Sequence, residues 1–147
     1  ISAVGGEAEG AWIAAGSTQG PNYDSFESKF KEAGDADIHT WGVASYDATN
    51  VLALAIHRAG EASHDAIQQN IGPVAREGGT TVSTFAEGKE ALDNGEEINY
   101  EGAVTNVDFT QHGNVWGDVA VSQISPDGFN EQFSIGADAL QENISEY

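Results

Sequence analysis

From Ala44 to Gly60 apolar side chains recur at the spacing of one helical face: Ala44, Ala48, Val51, Leu52, Ala55 and Ala59. Arg58 falls in the last turn, where a cation meets the negative end of the helix dipole, and Gly60 follows as the cap. The pattern predicts that the longest helix of the chain opens near Ser45 and ends at Gly60. Upstream, Trp12-Ile13-Ala14-Ala15 reads as a short strand bounded by a loop from Gly16 to Pro21. Tyr23, Phe26 and Phe30 predict a helix that Asn22 caps and Gly34 ends. Asp35 to Gly42 reads as a connection carrying His39 and Trp41. Downstream, Ser63 caps a short helix with Ala66, Ile67 and Ile71 on its apolar side, stopped by Gly72-Pro73. Val74 to Thr81 reads as loop. Thr84 and Glu87 form a T-x-x-E capping box ahead of Phe85, Gly88, Ala91 and Leu92, and Asn94-Gly95 closes that helix. Gly88 weakens it by about 1 kcal/mol relative to alanine.

From Val104 the period changes to two. Val107 and Phe109 alternate with Asn106 and Asp108, and Thr110 to Asn114 reads as a tight turn. A second alternating run places Val115, Gly117, Val119 and Val121 on one side. Asp127-Gly128 is a turn dipeptide, and Phe129 to Ile135 reads as the next strand. Gly136 to Tyr147 is acidic, with a helical turn near Ala139-Leu140.

Composition sharpens this picture. The 147 residues are enough for one domain and hold no cysteine, which excludes disulfides and thiolate metal sites. Twenty-four acids face five bases, for a formal net charge of -19. Such a surface repels nucleic acid and anionic lipid. The patterned hydrophobic content, 39% of residues, argues for a folded chain over a disordered one. The acidity then reads as a halophilic adaptation, in which dense ions screen self-repulsion. The chain opens on Ile1 rather than Met, and it carries no signal peptide and no membrane-length apolar run. It therefore reads as a piece whose N-terminus lies elsewhere.

Little in the sequence has the spacing of catalytic chemistry. His39, His57, His64 and His112 include no H-x-x-x-H pair, and surface histidine is the simpler reading. Gly16-Ser17-Thr18-Gln19-Gly20 places its serine one position too early for a nucleophile elbow. Asp108 to Asn114 lacks the pattern of a calcium loop. Trp41 and Tyr46 flank the expected entry to the central helix, where free amides and the positive dipole end suit a carboxylate. Two readings stay open for them: packing over the helix end, or the lining of a pocket.

Taken in order, several stretches carry a resemblance. They are Gly6-Glu7-Ala8-Glu9-Gly10-Ala11-Trp12; Tyr46-Asp47-Ala48 opening an Ala/Leu helix that ends Arg58-Ala59-Gly60; and Asp65-Ala66-Ile67. Phe85 to Leu92, Ile98-Asn99-Tyr100-Glu101-Gly102-Ala103, and Val107-Asp108-Phe109 with Gly113-Asn114 follow. This order resembles the C-terminal third of the substrate-binding proteins of ABC transporters for branched-chain amino acids and related amides. The family often has Asp where Thr110 and Asn114 stand, at a turn read as structural.

The resemblance implies an α/β, periplasmic-binding-protein-like fold of two lobes, here partial. Residues from about 10 to 103 form a mainly helical part on the first lobe, and strands from about 104 to 135 return across the hinge. It implies a receptor outside the cytoplasm, made with a signal peptide, lipid-anchored at the cell surface and delivering an amino-acid-like ligand to a membrane permease. It implies no enzyme activity, metal or organic cofactor. Trp41 and Tyr46 become the expected ligand-binding residues, with Ser17 and Thr18 weaker candidates at a strand end. The face of the central helix that carries Ala48, Val51, Leu52 and Ala55 would then meet strands contributed from outside this chain. The alternatives are a ligand-binding sensor domain of a signalling receptor, and a small acidic hydrolase using a histidine and a carboxylate.

Overall fold

A computed structural model describes residues 5–17, 19–110 and 112–144. The chain is mixed α/β: the described residues form five α-helices, a three-stranded antiparallel sheet and a two-stranded parallel sheet. It divides into two compact units, one of Thr18–Val115 and one of Ile1–Ser17 with Trp116–Tyr147.

The first unit is helical. Helix α1 (Tyr23–Ala33) buries Phe26, with Tyr23 and Phe30 packed nearby. The Asn22 side chain does not cap it; its amide reaches across the fold and donates to the Glu101 carbonyl at 2.7 Å. Helix α2 spans Thr40–Ala59 and ends on Gly60 at φ +72°, as the sequence predicts. It begins five residues before Ser45, so Trp41 lies in its first turn and Tyr46 in its second. Its buried face is Val43, Asp47, Asn50, Val51, Leu54 and Ala55. The expected stripe was therefore rotated. Val51 and Ala55 are buried by residues of this chain, whereas Ala48 is exposed and Leu52 is 42% exposed. The rotation has a simple cause: two polar residues, Asp47 and Asn50, belong to the buried face, and an apolar count passes over them.

Helix α3 (His64–Asn70) is capped by Ser63, whose Oγ accepts from the Ala66 amide at 3.3 Å. Strand β2 (Thr80–Val82) runs parallel to β3 (Ile98–Tyr100) through helix α4 (Phe85–Asp93), forming a β-α-β unit. Neither strand is visible as alternation, because each has three residues and all of β3 is buried. Thr84 caps α4 through the Glu87 amide at 3.2 Å. The Glu87 carboxylate turns back one residue further than a capping box requires, to the Ser83 amide at 2.8 Å. Those bonds, led by the Ser83 amide, hold the Glu87 carboxyl below its usual range. Gly88 has a packing reason: a Cβ there would lie 2.5 Å from Leu54 Cδ2, so the glycine lets α4 close onto α2. Val51, Leu54, Val74, Val82, Ile98 and Tyr100 make the core beneath.

The second unit is a sheet of order β1-β4-β5, built from β1 (Trp12–Gly16), β4 (Val119–Ser125) and β5 (Gly128–Ile135). Ala14 pairs with Val121, which pairs with Phe133, and a bulge interrupts β4·β5 after Val121. The β4–β5 turn falls at Asp127-Gly128, and helix α5 (Ala137–Ile144) follows. The strand expected over Val104–Phe109 is absent. Those residues are irregular, with one isolated bridge between Phe109 and Val115 across the Thr110–Asn114 turn.

Candidate functional site

The site with the most to offer lies in the helical unit, along the flank of α2. A cleft of about 260 Å³ is walled by Ala44, Ala48 and Val51 on one side and by Val104, Val107 and Phe109 on another. Asp47 reaches its floor. The lining is almost wholly aliphatic or aromatic. The volume is below the roughly 300–1,000 Å³ usual for pockets holding drug-sized ligands, so it suits one small apolar group rather than a nucleotide or a sugar chain.

Asp47 organises the floor. It is buried, with 5% exposure, and both carboxylate oxygens are engaged. Oδ1 accepts from the Tyr100 hydroxyl at 3.0 Å and the Ala103 amide at 2.9 Å; Oδ2 accepts from the Val104 amide at 2.8 Å. One helical carboxylate thereby fixes the chain where it leaves β3 and turns along the cleft. Gly102 stands inside this clasp, where a Cβ would strike the Asp47 carboxylate. Asn50, one turn on, donates to the Tyr100 hydroxyl and to the Tyr46 carbonyl, each at 3.1 Å. Its Oδ1 accepts from the Phe85 amide at 3.1 Å, tying in the start of α4. Burial, followed by the Asp47 charge, pushes the Tyr100 hydroxyl far above the ordinary tyrosine range, so it stays a neutral donor.

One wall is strained. Val107 has φ +55°, a conformation β-branched residues rarely adopt, and it is buried. Such a residue costs on the order of 1–3 kcal/mol and persists only where its surroundings hold it. Here the Asp47 clasp on one side and the Phe109–Val115 bridge on the other provide that hold.

The expected ligand-binding residues sit elsewhere. Trp41 is 81% exposed on the outer side of α2. Tyr46 is half-buried on Phe26, ring centroids 5.1 Å apart, within the α1–α2 aromatic cluster. The two share a helix but not a face. Ser17 belongs to the strand unit, where its amide donates to the Asp118 carbonyl at 2.7 Å. Thr18 lies outside the described residues. No sequence motif marks the cleft residues. Asp47 and Asn50, polar and three apart on α2, pack inward, which the structure shows and their spacing does not announce.

Two of the histidines meet carboxylates outside this cleft. His57 Nε2 is 2.8 Å from Asp93, which also meets Lys89, and these contacts, Lys89 first, lower the Asp93 carboxyl. His64 is 3.5 Å from Asp65, both exposed. Among the described residues no three His, Asp or Glu side chains converge as metal ligands, and no helix is long and apolar enough to cross a membrane. Compared with known proteins, the chain matches no protein-family model, no curated protein and no solved structure.

Proposed function

We propose that this chain is part of a receptor outside the cytoplasm that binds an amino acid or related small amide for an ABC transporter permease, built on a two-lobe periplasmic-binding fold. The observation that carries the reading is the cleft beside α2: small, apolar and bounded by two stretches on which the family resemblance rests. Tyr46-Asp47-Ala48 supplies one side and Tyr100 to Ala103 leads into the other, and Asp47 bonds the two together. The division into two units, with the chain passing between them at Ser17–Thr18 and again at Val115–Trp116, supports the two-lobe arrangement. Binding is favoured over catalysis because the one acid at the cleft floor already serves three donors, which leaves it poorly suited to proton transfer. The acidic surface, at -19, suits concentrated salt, where ions screen its self-repulsion.

Thermal melts against the free L-amino acids and their small amides test this. A ligand at a hundred times its Kd adds about 2.7 kcal/mol to stability. At roughly 2–4 °C per kcal/mol, the melting temperature should rise by about 5–10 °C with an aliphatic member of the panel. A flat response across the whole panel overturns the reading.

A further inference from the structure

The strained wall of the apolar cleft carries a second carboxylate, and it is placed unlike Asp47. Asp108 stands between Val107 and Phe109, both of which line the cleft. Its Oδ2 accepts from Asn106 Nδ2 at 2.9 Å. Its Oδ1 is buried and has no hydrogen-bond partner among the described residues. A neutral carboxyl tolerates that arrangement far better than a carboxylate, because burying a charge costs much more than burying a dipole. Glu77, exposed on the turn ahead of β2, brings a second negative charge to bear on it. Burial first, then that charge, pushes the Asp108 carboxyl above its usual range, against a smaller opposing pull from the Glu77 amide. The stretch from Val104 to Thr110 holds no other charge, and Asp47, on the cleft floor, serves the Tyr100, Ala103 and Val104 donors. The backbone here is lightly fastened. Asp47 ties it at Val104 and one isolated bridge to Val115 ties it at Phe109. Between those ties it is neither helix nor strand, and Val107 sits at φ +55°.

We propose that the Val107–Phe109 wall is a proton-controlled gate on the apolar cleft, seated when Asp108 is protonated and eased outward when Asp108 is ionised. Linkage fixes the direction. An arrangement of the wall that lets water reach Oδ1 returns the carboxyl toward its ordinary value. Rising pH then favours that arrangement, by up to about tenfold in population per pH unit between the ordinary value and the raised one. Below that window the seated wall keeps its full advantage; above it the shift is complete. The gate is a property of the wall itself. Only its use, in admitting or holding a ligand, rests on the receptor reading.

The test uses the full chain, labelled with 13C and 15N and free of ligand, titrated from about pH 3 to 8. The Asp108 carboxyl carbon should titrate above the ordinary aspartate range. A neutral nitroxide dissolved in the sample reads the wall. The Val107 methyl signals, 8% exposed in the seated wall, should be broadened more by it as pH rises, with the Asp108 midpoint. Asp108→Asn should keep those signals as sheltered as they are at low pH across the whole range. His112 is the titratable group on the turn that follows, so His112→Gln should leave the response in place. An Asp108 carboxyl in the ordinary range, methyl broadening that ignores its midpoint, pH dependence kept in Asp108→Asn, or a response lost in His112→Gln overturns the proposal. A flat amino-acid panel in the melts above refutes the receptor reading and leaves the gate standing. A response there with a motionless wall refutes only the gate.

Discussion

Replacing Asp47 should unfasten the helical unit, and by an amount the structure lets us order. Asp47→Ala removes an acceptor from three donors: the Tyr100 hydroxyl, the Ala103 amide and the Val104 amide. The first two bonds are buried and the third partly so. A buried donor left unsatisfied costs about 1–3 kcal/mol, so three of them should cost about 3–9 kcal/mol, toward the lower part of that range because the third is only part-buried. That is a large share of the roughly 5–15 kcal/mol total expected of a domain. Asp47→Asn keeps one carbonyl oxygen for Tyr100 and Ala103 but turns an NH2 toward the Val104 amide. One bond is lost, and the cost should be about 1–3 kcal/mol. Tyr100→Phe removes the hydroxyl that joins Asp47 to Asn50, for about 1 kcal/mol. The Asp47→Asn and Tyr100→Phe changes should be non-additive by about 0.5–3 kcal/mol, because they share a bond. Urea melts followed by far-ultraviolet circular dichroism measure each term. An Asp47→Ala cost below about 1 kcal/mol refutes the clasp. An Asp47→Asn cost equal to that of Asp47→Ala refutes the reasoning from counted donors and makes charge the controlling quantity.

The same residues set an alkaline limit. Tyr100 titrates higher folded than unfolded, so its contribution is fully present below the unfolded value of about 10 and is lost above it, at up to about 1.4 kcal/mol per pH unit; in Tyr100→Phe this slope should disappear from melts taken above that pH. Gly88→Ala should destabilise by about 1–3 kcal/mol despite the better helix former, because the new Cβ meets Leu54, and a stabilised variant would contradict the close approach of α4 to α2. Trp41→Ala should leave stability within about 0.5 kcal/mol, so any loss of ligand affinity would report direct contact. Tyr46→Ala should cost about 1–3 kcal/mol through lost packing on Phe26, and affinity falling with unchanged stability would place its ring in a pocket.

What the sequence revealed followed the reach of its interactions. Local signals were legible. The caps at Ser63 and Thr84, the end of α2 at Gly60 and the turn at Asp127-Gly128 all depend on bonds between residues a few positions apart. Non-local signals were not. Strands β2 and β3 are too short for alternation and exist because α4 brings them together. Asn22 looked like a cap and became a tie to Glu101, seventy-nine residues away. The apolar spacing of Val107 and Phe109 promised a strand, yet tertiary contacts hold Val107 at positive φ and bend the chain into a cleft wall. The candidate site was the least legible part. Its organiser is a buried carboxylate whose partners lie more than fifty residues away, and no residue spacing announces that.

The two units differ in how they can be held. The helical unit owns a core in which Leu54, Ala55, Val74 and Tyr100 are completely buried. Among the described residues of the strand unit none is buried. Its register sets Trp12, Ala14, Val121 and Phe133 on one face, with Trp12 59% and Phe133 51% exposed. A three-stranded sheet needs a covered hydrophobic face to stand by itself, so its hydrogen bonds alone hold it weakly. Its sequence also carries eight acids and no lysine or arginine, and their mutual repulsion adds to that weakness. Unfolding of this chain therefore need not be one transition, and a single stability figure would blend two. The tryptophans separate them: Trp12 and Trp116 report on the strand unit, and Trp41 on the helical unit. Helices α1 to α4 all belong to the helical unit, so the circular dichroism signal chosen for Asp47 is dominated by the unit in which its clasp is made. Fluorescence, weighted toward the strand unit by two tryptophans to one, would register the same substitution least.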